Sequence, residues 1–415
     1  MKKNLIQFTL LIFAMLITPA LYAQFSLSGE FRPRTEISHG YGTLAADDQK
    51  ASTFTSQRTR LNFQYNNEFV RTMVMIQDIR LWGNQPQLVE NQEKAVSLHQ
   101  GWAEVLFTKE FSLKAGRQEL NYDDQRIFGN VGWTQQARSH DLALLKYEGN
   151  FKFHLGVAHN ENNNRRNNLY DGPDAYKDLQ FFWISDSWEK SSISLLFLNN
   201  GVPITIGGEQ ENRYSQTFGG HFRYQPEKMQ FSANLYGQSG KDALEREINA
   251  LNFMVEASFK ANPTASATFG YEYLSGNDLS PEPGKNKAFN PLYGTNHKFN
   301  GFMDYFYVGG QHINSVGLQD AYFKWACSRF KNVQWNLHLH YFAASGEMNL
   351  SDAKSYLGTE IDFDLTYSIN PFSKLTFGYS HLLAGESMSL IKSTGTHEST
   401  NNWAYLMLSV TPKFY

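Results

Sequence analysis

The densest chemistry in this chain lies between residues 111 and 147. A run from Phe111 to Leu120 alternates apolar and polar residues up to Gly116, the period of a strand. A polar, glycine-bearing connection from Asp123 to Gln136 follows, carrying Arg126, Gly129, Gly132 and Trp133. The chain then returns on a second expected strand that opens with Arg138, His140 and Asp141. Arg117, Arg126 and Arg138 thus fall within one hairpin, with Glu119 and Asp141 as acidic neighbours. A guanidinium offers forked donors that match a carboxylate, and a ring of them around a bore favours anions. The expectation is that this hairpin narrows a water-filled barrel and sets which charge passes.

Further arginines support the same chemistry. Nine of the fifteen lie between residues 32 and 138. Arg32 and Arg34 share one face of a strand, opposite Leu27 and Phe31; Arg58 and Arg60 share one face of the next, opposite Leu61 and Phe63. An arginine facing lipid at mid-bilayer costs about 2–4 kcal/mol, so these four are expected to point into the lumen, and Arg80 is grouped with them as part of the solute path. The alternative for each is structural pairing with Glu30, Glu36, Asp78, Glu104 or Asp141.

The elements that must position these groups are strands. From Phe25 onward the chain divides into eighteen segments of period two, clearest in Gln230 to Tyr236 and Glu360 to Tyr367. A one-residue slip there would put carboxylates in lipid, so the facing is well determined. Val70 to Trp82 fits neither parity throughout, and a bulge is expected. Links after even-numbered segments are short, as at Asn66-Asn67, Lys109-Glu110 and Gly149-Asn150; links after odd-numbered ones are long and polar, the longest running from Gly276 to Ser315. This alternation predicts an all-β fold: a transmembrane antiparallel β-barrel of about eighteen strands, with tight periplasmic turns, long external loops and both termini in the periplasm. An eighteen-strand barrel is expected to enclose an aqueous channel rather than a packed core. Ala404, Leu406, Leu408, Val410 and Phe414 would share the lipid face of the last strand, whose aromatic end resembles the signal read by barrel-assembly machinery.

The compartment follows from the start of the chain. Lys2 and Lys3, an apolar stretch from Leu5 to Ile17, and Leu21-Tyr22-Ala23 compose a secretory leader cut near Ala23, leaving residues 24–415 as one barrel domain in the outer membrane of a Gram-negative cell. No later segment has the ~20 apolar residues of a membrane helix. Aromatics reach 15%, with 22 Tyr and 32 Phe, while mean hydropathy is negative, and a soluble chain of this size would show longer apolar runs and more helix formers. Without Lys2 and Lys3 the balance is 35 basic to 40 acidic residues, which argues against a nucleic-acid partner. Cys327 is the only cysteine, so no internal disulfide or cysteine metal site forms. No cofactor is called for, and such a wall closes as a monomer.

The run Gly116-Arg117-Gln118-Glu119-Leu120, then Gln125-Arg126-Ile127, Gly129, Trp133, Arg138 and Asp141, resembles the core motif of the alginate-export outer-membrane proteins. Phe302-Met303-Asp304-Tyr305-Phe306 is similar to a second element of that family. The resemblance implies an eighteen-stranded porin that passes an anionic polysaccharide by passive diffusion. It also implies Arg117, Arg126 and Arg138 as constriction residues, countered by Glu119 and Asp141. Few arginines follow residue 170, so a positive wall is expected rather than a full ring.

Other constellations carry less. His338 and His340 stand two apart on one polar strand face, a spacing that can hold a metal, though lumen histidines without a ligand are commoner. Ser139, His140 and Asp141 suggest a barrel enzyme acting on lipid or polysaccharide, but neighbours on a strand point to opposite faces and cannot converge. Asp171-Gly172-Pro173-Asp174 has calcium-loop chemistry and, more simply, turn chemistry. An energy-coupled transporter with a plug before its first strand is disfavoured, because that strand begins at Phe25.

Overall fold

The computed structural model describes residues 24–88, 96–161, 169–172, 176–350, 354–392 and 394–415. The leader with its cleavage point, most of the Asn160 to Asn168 tract and Pro173-Asp174 lie outside the described residues. Eighteen long strands form the wall. In chain order they are β1 Gln24–His39, β2 Ser52–Asn66, β3 Val70–Leu81, β4 Ser97–Leu106, β5 Phe111–Gln118, β6 His140–Glu148, β7 Lys152–His159, β8 Asp178–Trp188, β9 Ser191–Ile206, β10 Glu209–Tyr224, β11 Met229–Lys241, β12 Glu247–Asn262, β13 Ala265–Leu274, β14 Leu318–Cys327, β15 Val333–Ala343, β16 Tyr356–Asn370, β17 Ser373–Ala384 and β18 Asn401–Val410. A two-residue strand, Lys285–Asn286, runs parallel to β12 within a loop and takes no part in the wall.

Each wall strand is antiparallel to its sequence neighbours, and β1 pairs with both β2 and β18, so the sheet closes and no edge is left to aggregate. Beyond β18 the chain hugs the first strand, with Phe414 N donating to Leu27 O at 2.8 Å. The driving pattern is simple. Phe31, Leu61, Leu155, Val255, Phe269 and Leu406 are exposed on the outer face, where lipid accepts them, while Arg32, Asn252, Asp320 and Glu360 alternate inward and are buried. The predicted irregularity in the third strand is present: the β3–β4 pairing shifts register between Met75 and Ile76.

The expected open interior needs correction. Two loops turn inward and pack: residues 119–139 between β5 and β6, and residues 275–317 between β13 and β14. Phe128, Phe289, Met303, Tyr305 and Phe306 from these loops are fully buried against wall residues such as Phe181 and Phe342. Phe128 lies 4.8 Å from Phe181 and Phe306 4.8 Å from Phe342, centroid to centroid. An eighteen-strand circumference leaves room that side chains of the wall cannot fill. Aromatic loops fill part of it, because burying each ring stabilises by about 1.5–3 kcal/mol.

The inward loops carry unusual backbone. Of the eleven described non-glycine residues at positive φ, nine lie in them, including Asp123, Gln125 and Val131 in the first and Asp304, Tyr307 and His312 in the second. For a β-branched residue such as Val131, at φ 51°, that conformation costs energy and persists only when surroundings fix it. The two loops fix each other: Gly129 N donates to Tyr293 O at 2.9 Å and Thr295 N to Gln125 O at 3.0 Å. Gly129 admits this approach because a Cβ there would collide with Thr295 Oγ1.

Candidate functional site

The four arginines of β1 and β2 point inward as the alternation requires, yet they do not line open water: each side chain is 9% exposed or less. They hold the backbone of the first inserted loop. Arg32 donates to the carbonyls of Gly132 at 2.9 Å, Trp133 at 3.1 Å and Thr134 at 2.8 Å. Arg34 reaches Trp133 O at 3.0 Å, and Arg58 reaches Thr134 O and Gln135 O at 3.2 Å each. Arg60 donates to Gln77 Oε1 at 2.8 Å. Glu30 and Glu36 supply counter-charge, Glu30 to Arg58 at 2.6 Å and Glu36 to Arg34 at 2.8 Å. Trp133 completes the seat: Arg34 lies over its ring at 4.3 Å, and His297 of the second loop stacks on it at 4.6 Å.

The remaining predicted constriction residues separate. Gly116 and Leu142 form an inward pair of the β5–β6 ladder, so the next pair, Arg117 and Asp141, faces outward. These two join at 2.7 Å with half-exposed side chains, and neither lines the bore. Arg80 is likewise corrected. It alternates with the inward Gln77 and pairs with Asp78 at 2.6 Å on the outer face. Arg126 is inside but completely buried, 2.8 Å from Glu272 and 2.9 Å from Asn300 Oδ1, a cross-lumen tie between loop and wall. Arg138 precedes β6 instead of opening it, and donates to Gly294 O at 3.1 Å, joining the two loops.

Glu119 counters none of the three arginines. Its carboxylate lies 2.8 Å from His99 Nε2 and accepts from Asn130 Nδ2 at 2.9 Å. Burial pushes that carboxyl up, but the bonds from His99 and Asn130 and the charge of Arg60 hold it below the ordinary range. The Ser139, His140, Asp141 trio does not converge: His140 is inward and bonded to Tyr176, whereas Asp141 is outward.

What remains open lies across the lumen from the arginines. A cavity of about 510 Å³ on the short-turn side is lined by Asp123, Asp124, Arg223, Glu256, Lys298, Phe299, Phe302, Tyr322, Lys324 and His338, among others. Its acids are occupied: Asp123 accepts from Ser194 at 2.6 Å and Trp183 at 3.1 Å, and Glu256 from Tyr322 at 3.0 Å. Burial raises the Asp123 carboxyl. Its cations, among the described residues, have no ion pair. Lys324 sits over the Tyr322 ring at 4.5 Å, Lys298 donates to Asp124 O at 2.8 Å, and Arg223 donates to Gln225 and Gln230. The sequence reading missed all three, because Lys298 lies in a loop without periodicity and Lys324 and Arg223 are isolated charges on otherwise ordinary strands.

A closed antiparallel barrel of eighteen strands, apolar outside and partly constricted by inward loops, defines an outer-membrane channel of the porin kind. The alginate export family model matches residues 23–404, nearly the whole chain, and the protein belongs to that family. No curated protein matches its sequence. Among solved structures it is similar to OccAB4 of Acinetobacter baumannii, with TM-score 0.62 and 10% identity over 95% of this chain and 100% of that one. It is also similar to OccK5 (OpdH) of Pseudomonas aeruginosa, with TM-score 0.60 and 10% identity over 94% and 99%, and to OccK3 (OpdO) of the same organism, with 0.61 and 12% over 94% and 96%. At these identities the likeness speaks to fold.

Proposed function

We propose that this outer-membrane channel passes small anionic saccharides or other small carboxylates by passive diffusion, along the cavity beside β10 to β15 and not past the arginine wall. The observation that carries the reading is the cavity lining: three cations with no ion pair among the described residues, beside acids already engaged, Asp123 and Glu256 by neutral donors and Glu272 by Arg126. Cations of that kind are available to a solute carboxylate. The bonded acids and the amide of Gln230 can exchange hydrogen bonds with hydroxyls, and the rings of Phe302 and Tyr322 offer flat apolar faces. A volume of about 510 Å³ lies within the range of small-molecule sites. Family membership agrees with an acidic sugar as the solute class. No nucleotide or proton coupling is needed, and outer-membrane lipid is the partner of the apolar belt.

Planar-bilayer recordings under a salt gradient test this. The wild type should prefer anions, and Arg223→Ser, Lys298→Ser and Lys324→Ser together should abolish the preference. A cation-selective wild type, or an unchanged reversal potential in the triple variant, would overturn it.

A further inference from the structure

A cluster on the wall beside this cavity has donor chemistry that permeation does not use. His338 and His340 project inward from β15, and the ladder sets His338 opposite Asp362 of β16. One ligand atom from each of the three lies within 4.8 Å of the other two. Ligands about 2.0–2.1 Å from a tetrahedral ion lie about 3.4 Å apart, so side-chain shifts on the order of 1 Å close the set.

Two independent features point to a cation. Asp362 is fully buried, and neither carboxylate oxygen has a hydrogen bond of normal geometry, although Ser380 and Glu360 flank it. An unpartnered buried carboxylate is costly unless a positive charge meets it. His340, also buried, has Nδ1 at 3.0 Å from both oxygens of Asp320, itself fully buried. A neutral imidazole donating from Nδ1 to a carboxylate presents its Nε2 lone pair outward, the arrangement that orients metal-binding histidines.

We propose that His338, His340 and Asp362 bind a divalent transition-metal ion of the Zn²⁺ type. Two imidazoles and a carboxylate suit a borderline cation and leave a fourth position. His338 borders the lumenal cavity, which supplies the way in. The ion would lock β15 to β16 beneath the second inserted loop, where Phe302 packs 5.0 Å from His338 and Met303 N donates to Glu360 at 2.8 Å. The site stands independently of the solute proposed above.

Full-length protein in detergent, stripped with EDTA and titrated calorimetrically with Zn²⁺, should bind one equivalent. His338→Gln and Asp362→Asn should each weaken binding at least about tenfold, and Asp320→Asn, acting through His340, by about 10–100-fold. Heat-modifiable migration on gels verifies that each variant is folded, and the less buried His338 provides the readout if Asp362→Asn does not fold. Absence of saturable binding by folded wild type overturns the proposal and leaves a proton shared between Glu360 and Asp362 as the account of that carboxylate. Binding that His338→Gln leaves unchanged overturns it as well, since the ion then sits elsewhere.

Discussion

Two stretches of the barrel wall, β1–β2 and β16, stand only two strands apart, with β17 and β18 between them, and each holds an inserted loop, but by opposite chemistry. On β1 and β2, guanidinium groups grip the carbonyls of residues 132–136. On β16, Glu360 takes a single backbone N–H, that of Met303, and its second oxygen and both oxygens of Asp362 go unbonded. Arginine has five donors and meets a loop rich in free carbonyls, so the backbone takes up most of them while Glu30 and Glu36 supply the counter-charge. A carboxylate needs donors, and a loop at close approach offers few. The cationic wall is thus complete in itself, while the acidic wall has capacity for an ion.

The contrast breaks most readily at the arginines. Hydrogen bonds from charged groups contribute about 1.5–3 kcal/mol when buried, so, counting one net bond for each arginine, Arg32→Ala with Arg58→Ala should weaken seating of residues 119–139 by about 3–6 kcal/mol. Single-channel conductance should rise and amide exchange in that loop should accelerate. An unchanged conductance would mean the loop is held from the other side. That other side is the tie from Arg126 to Glu272. Glu272→Gln leaves a fully buried guanidinium without its counter-charge, a loss of about 3–5 kcal/mol. Arg126→Met added to Glu272→Gln should restore most of the thermal midpoint.

A third hold is pH-dependent. Lys392, in the loop between β17 and β18, is buried and donates to Tyr305 O of the second inserted loop. Burial pushes its ammonium down to about 8. The docked state therefore binds fewer protons than the undocked one between pH 8 and the free-lysine value, and docking strengthens as pH rises through that window. The gain is at most about 3 kcal/mol. Lys392→Met should remove the dependence, read as channel open time between pH 8 and 10.

The wall was legible in the sequence because one period governs it. Each expected strand is present, since an outward apolar residue and an inward polar one recur wherever lipid and lumen oppose. The inserted loops were not. Residues 119–139 and 275–317 owe their shape to contacts with each other and with distant strands, such as Arg126 to Glu272, and carry no periodicity of their own. Reading the arginines as a group hid a distinction already present in the alternation. Arg117 continues the outward series Phe111, Leu113, Ala115, and Arg80 that of Val74, Ile76, Asp78. Composition placed both in the bore, whereas parity places them outside.

The smallest effect sharpens the comparison most, because it separates a motif position from a pore position. Arg117 and Asp141 meet on the outer face at the long-loop end of β5 and β6. An exposed pair of this kind contributes about 0–1 kcal/mol, so Arg117→Ser should barely move the thermal midpoint. It should leave ion selectivity where it was, since no field line from that site need cross the lumen. Selectivity measured on Arg117→Ser beside Lys324→Ser distinguishes the two positions. If Arg117→Ser shifts the reversal potential as far as Lys324→Ser does, the outward assignment fails and the constriction belongs to the hairpin after all.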